Sequence, residues 1–177
     1  YSLARCMAVP AMDWSAFFMD DREERDKMLL DAELSAQQAL VKDPNNVLAL
    51  AYTAEILLDQ GRLDQSQQYI NLAKEKNEEL MDVQRVRASI LETLGDYQGA
   101  IEAYDRAIAL APNLTFLYIR AGVIYRHLGM ISKTNDTAQP YYDKALEYFA
   151  KAVQLNTQLG IPDPVPYVSI GKVYTQM

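Results

Sequence analysis

Residues 94–112, LGDYQGAIEAYDRAIALAP, decide how this chain folds. Within them Ala100, Tyr104, Ala107 and Ile108 follow the i, i+4, i+7, i+8 spacing of one apolar helix face. Gly95 stands just past the preceding helical pattern, where a residue with positive φ ends a helix at little steric cost. Pro112 cannot continue the helix before it. The stretch therefore predicts a turn, an amphipathic helix and a stop.

The same marks recur in both directions with a step of 34 residues. Small residues recur at Ala54, Ala88 and Gly122, and larger ones three places later at Leu57, Leu91 and Tyr125. Glycines expected in turns recur at Gly61, Gly95 and Gly129. Ala32, Ser66 and Ala100 form a further series, as do Ala36, Ile70 and Tyr104, and Ala39, Ala73 and Ala107. Pro44 and Pro112 are 68 residues apart, two steps of the same period. The unit is a helix, a tight turn and a second helix, with the small mid-helix residues admitting a close neighbour.

This pattern resembles the tetratricopeptide repeat family, and the resemblance runs from about Asp31 to Met177. The signature's early tryptophan is absent; Leu50, Gln84, Tyr118 and Tyr167 stand in its place. The resemblance implies an all-α fold, a right-handed α-solenoid of antiparallel helix pairs. It divides the chain into an irregular N-terminal repeat (1–46), units at 47–80, 81–114 and 115–163, and the first helix of a further unit (164–177). The second helix of the N-terminal repeat is expected over roughly Arg22 to Val41, with a first helix in residues 1–19. In the third unit the second helix is expected to resume only at Tyr142, because Ala107 to Ala152 is 45 residues. The surplus, near 131–141, reads as a polar surface loop or a lid.

Composition narrows the function. A net charge of −7 argues against general affinity for nucleic acid. Residues 1–114 hold 11 basic and 20 acidic side chains, residues 115–177 hold 6 and 4, so a cationic surface belongs to the C-terminal part. Cys6 and His127, one of each, form neither an internal disulfide nor a metal-ligand set. No apolar stretch approaches the roughly 20 residues of a spanning helix. The opening at Tyr1 suggests an excerpt or a processed product. The lack of paired cysteines is compatible with the cytoplasm without fixing a compartment.

Catalytic motifs are missing: no Ser-His-Asp set, phosphate loop or dinucleotide fingerprint stands in the sequence. The carboxylate pairs Asp20-Asp21 and Glu78-Glu79 are adjacent and diverge on a helix, so they cannot share a proton across a substrate. The chain thus reads as a non-catalytic scaffold without cofactor or metal, binding another protein. By the resemblance, first helices line a concave groove for a peptide segment. That geometry would place Leu48, Ala51, Glu55, Leu58 and Asp59 there from one unit, and Asp82, Arg85, Ser89, Glu92 and Thr93 from the next. The third would add Phe116, Ile119, Val123, Arg126 and His127, and the last Val165, Val168 and Lys172. Ala51 and Glu55 occupy places where some family members carry a Lys and Asn clamp for a chaperone's carboxylate tail, so that clamp is missing. A partner with apolar anchors and an acidic flank would suit the rest. Two alternatives stand beside this one: self-association through the last helix, giving a homo-oligomer, and a regulatory arm of a larger enzyme.

Overall fold

The computed structural model describes residues 22–177, which form eight helices and no strand. The helix expected in residues 1–19, and Cys6, lie outside the described residues. The helices are α1 (Arg22–Lys42), α2 (Val47–Asp59), α3 (Leu63–Lys76), α4 (Met81–Thr93), α5 (Tyr97–Leu110), α6 (Thr115–Ile131), α7 (Asn135–Leu159) and α8 (Val165–Tyr174). Two compact units divide the chain between Ile90 and Leu91.

In the first unit, periodic alanines let helices meet at short range. Ala32 and Ala36 of α1 pack with Tyr52 and Ile56 of α2. Leu50, Ala51 and Ala54 of α2 meet Ile70 and Ala73 of α3 and Val83, Val86 and Ile90 of α4. Asn46 caps α2 by accepting from the Ala49 N–H at 3.0 Å. Gly61 then turns the chain with φ of 74°, as its place in the repeat predicts. The Ser66 hydroxyl donates to the Ala54 carbonyl at 2.6 Å in the core, satisfying a polar side chain in a small-residue position.

In the second unit, Asp96 caps α5 by accepting from the Gly99 N–H at 3.0 Å. The α6/α7 pair departs from expectation. Gly129 is not a turn residue: it lies buried inside α6, where a Cβ would sit 2.6 Å from the Tyr142 ring. Gly122 behaves alike, a Cβ there coming within 2.7 Å of Phe149. Two notches seven residues apart on α6 thus receive two rings seven residues apart on α7, in descending order, which makes the pair antiparallel. Because Gly129 packs rather than turns, α6 runs on to Ile131.

The surplus segment is correspondingly mostly helical: only residues 132–134 connect α6 to α7 outside the helices. α7 begins at Asn135, seven residues before the expected Tyr142, because the Thr134 hydroxyl accepts from the Thr137 N–H while Thr137 reaches back to the Thr134 N–H. Pro140 falls in the exposed second turn, where it removes one N–H donor on the solvent side without breaking the helix. Phe149, Tyr142, Ala145 and Ala138 of α7 then share a core with Val173 of α8.

Candidate functional site

In the first unit Tyr52 and Glu55 of α2 come together with Asp82 and Arg85 of α4. Their spacing places each pair on one helix face, and the small residues between the helices let the faces meet. Both Arg85 Nη atoms donate to the two Glu55 carboxylate oxygens, one of them at 2.7 Å, in a fork-to-fork pair. Asp82 adds a weaker contact at 3.5 Å. Glu55 is 9% exposed and Arg85 7%. The two residues expected to face a partner are therefore paired with each other. Leu48 and Leu58 are half-buried against neighbouring cores. Ala51 is fully buried, Asp59 is exposed, and the half-buried Ser89 hydroxyl donates to the Arg85 carbonyl.

Tyr52 feels this cluster. Burial first, and the Asp82 carboxylate next, push its hydroxyl up to about 12, with Arg85 opposing. Burial also raises Tyr118, Tyr125 and Tyr148 in the second unit, where the Tyr148 hydroxyl donates to Asp105 at 2.5 Å. A phenol near 10 when unfolded and higher when folded contributes stability that is complete below pH 10 and lost as pH rises toward 12. The urea midpoint is expected to fall between pH 10 and about 12, and Tyr52→Phe to flatten that fall. An unchanged slope in the variant would refute the assignment to Tyr52.

In the second unit, residues expected to face a partner lie on α6 and α8. Ile119 and Val123 are half-buried, packed on the core that holds Phe149 and Val173. Phe116 is half-buried, while Val165, Val168 and Lys172 are exposed. Arg126 donates through Nη1 to Gln176 Oε1 at 3.2 Å and to the Met130 sulfur, and its buried Nε has no acceptor among the described residues. Among the described residues no carboxylate pairs with Arg126, in contrast to Arg62 with Glu33 and Arg120 with Glu92. The His127 ring is tilted against Tyr97 with centroids 4.9 Å apart, a packing role. Glu92 is held by Arg120 at 2.7 Å, and Arg120 also donates to the Tyr104 hydroxyl at 3.2 Å. The sequence reading missed Arg120, which follows the apolar Ile119 without any periodic signal. Asp105, Tyr118, Glu147, Tyr148 and Lys151 line a shallow pocket of about 530 Å³ in this unit. Among the described residues no group of His, Cys, Asp and Glu is placed to hold a metal, and no helix is long and apolar enough to cross a membrane.

Models of the tetratricopeptide repeat match residues 35–68 and 82–114. The chain carries tetratricopeptide repeats at these residues. A TPR repeat-containing protein of Methanocaldococcus jannaschii is 35% identical over 63 residues, 36% of this chain and 10% of that protein, so the match spans about a tenth of that relative. Among solved structures, a MamA protein superposes with TM-score 0.64 at 21% identity, covering 93% of this chain and 82% of that one. PilF of Pseudomonas aeruginosa gives 0.68 at 16%, covering 97% and 70%. The human IFIT1 dimer with m7Gppp-AAAA gives 0.70 at 21%, covering 81% and 31%. At these identities the likeness concerns the fold, an all-α helical solenoid.

The tetratricopeptide signature position vacated by tryptophan has a local role here. Gln84 Nε2 donates to the Glu78 carbonyl at 2.7 Å, and the Tyr118 hydroxyl to the Pro112 carbonyl at 3.0 Å. Each side chain thus reaches six residues back to the inter-repeat turn, one period apart. Leu50, at the same place one tetratricopeptide repeat earlier, has no donor to offer.

Proposed function

We propose that this chain is a non-catalytic protein-protein interaction scaffold whose second unit binds a peptide segment through the inner face of α6 and α8. The observation that carries this reading is Arg126, a half-buried guanidinium without a carboxylate among the described residues, which donates to Gln176 just past α8, the helix that exposes Val165, Val168 and Lys172. A solvent-facing apolar stripe beside cations suits a segment with an apolar anchor and an acidic flank. The first unit contributes less to this reading than its sequence suggests, since Glu55 and Arg85 neutralise each other. Micromolar affinity, about −8 kcal/mol, is ordinary for such contacts.

The test is affinity capture from the source organism's lysate with the chain and its Val168→Glu/Lys172→Glu version in parallel. Both positions are exposed, so helicity is expected to survive. A protein retained by the original and reduced at least tenfold by the variant supports the reading. Equal retention by both, or by neither, sinks it.

A further inference from the structure

The pocket of about 530 Å³ in the second unit takes no part in the peptide site proposed above and shares no residue with it. Tyr118 of α6 and Tyr148 of α7 supply its aromatic lining, with ring centroids 6.4 Å apart, and Ile108 of α5 adds an apolar wall. Asp105 of α5 and Glu147 of α7 also line it, and both are exposed. Neither phenol keeps a proton for a ligand. The Tyr118 hydroxyl donates to the Pro112 carbonyl at 3.0 Å, and the Tyr148 hydroxyl donates to Asp105 Oδ1 at 2.5 Å. What the rings have left to offer is their π surface, which attracts cations. The charges select the same sign. Lys144 holds Glu147 at 2.7 Å, and Lys151, also in the lining, donates to Gln154 at 3.2 Å. Among the described residues no cation pairs with Asp105, and its Oδ2 accepts no hydrogen bond. Burial first, and the Asp105 carboxylate next, raise the Tyr148 phenol, and the same two causes raise Tyr125, whose ring lies 5.3 Å from that of Tyr148. A negative potential thus covers the aromatic lining.

We propose that this pocket receives an arginine side chain of a partner protein, held by the Asp105 carboxylate and the rings of Tyr118 and Tyr148. A planar guanidinium stacks on an aromatic face while its N–H groups donate to a carboxylate, so it uses both features of the pocket at once. An anion would meet two carboxylates here, and a neutral ligand would gain nothing from them. A free small molecule is ill suited, because a shallow pocket leaves much of it in water, whereas small-molecule sites bury most of their ligand. A side chain presented by a larger surface needs only its head group held, with further contacts outside the pocket supplying the affinity.

The probe is N-acetylarginine amide, titrated into the chain and followed by the NMR shifts of the Tyr118 and Tyr148 ring protons. Saturable shifts are expected, with binding weakened at least tenfold by Asp105→Asn. The citrulline counterpart, of the same shape without the charge, is expected to bind at least tenfold more weakly than the arginine amide. Asp105→Asn changes an exposed side chain and keeps an acceptor for the Tyr148 hydroxyl, so the chain keeps its circular dichroism. Absence of saturation, equal binding of the citrulline counterpart, or equal binding by Asp105→Asn overturns the proposal. Spermidine saturating the same shifts at lower concentration than the arginine amide would assign the pocket to free amines and overturn it equally.

Discussion

Phe149→Ala is expected to destabilise the Leu91–Met177 unit by about 3–5 kcal/mol. Phe149 is fully buried between α6 and α7, and the residue opposite its ring is a glycine. No side chain on that side can swing into the vacated space, and the Gly129–Tyr142 contact one heptad away holds the helices at their spacing. The cavity therefore stays open, which is the condition for a cost at the upper end. Urea unfolding followed by circular dichroism should show a lower midpoint at an unchanged slope. The reciprocal change sharpens the test. Gly122→Ala alone crowds the ring and is expected to cost about 1–3 kcal/mol, but much less on the Phe149→Ala background. Additive costs would mean that notch and ring do not act as one contact.

Glu55→Gln should cost the Tyr1–Ile90 unit about 3–5 kcal/mol, because it removes the bidentate carboxylate from a buried guanidinium. Replacing both partners, Glu55→Leu with Arg85→Met, is expected to cost far less than either single loss, since the desolvation of the pair offsets much of its attraction. Amide exchange of α2 and α4 reports both results. If the double variant were as unstable as Glu55→Gln, the pair would be contributing net stability of its own. If Glu55→Gln were neutral, water must reach Arg85 far more freely than its burial indicates.

The repeat was legible because its causes are local. Small residues at Ala54, Ala88 and Gly122, and positive-φ glycines at Gly61 and Gly95, act within one or two turns, so a fixed period in the sequence maps onto a fixed unit in space. The end of α6 was not legible for the same reason turned around. Gly129 carries the same letter at the same phase as Gly61 and Gly95, and only the ring of Tyr142, 13 residues further on, makes it a packing notch. The Ser132–Thr137 stretch read as loop because all but Lys133 are poor helix formers; residues 132–134 do stay outside the helices, and the reciprocal cap between Thr134 and Thr137 starts α7 at Asn135.

The candidate site divides likewise. Spacing along α2 and α4 places Glu55 and Arg85 on inward faces, and it places Val165, Val168 and Lys172 together on α8. By itself, then, the sequence determined the all-α class, the period, most helix limits and the face each side chain occupies, all consequences of backbone geometry over a few residues. Tertiary structure alone decided which charges meet and which stay open. Glu55 closes on Arg85 across 30 residues, whereas among the described residues Arg126 meets Gln176 and Met130 and no carboxylate. That choice depends on the distance between packed helices, which core volume sets and no local pattern encodes.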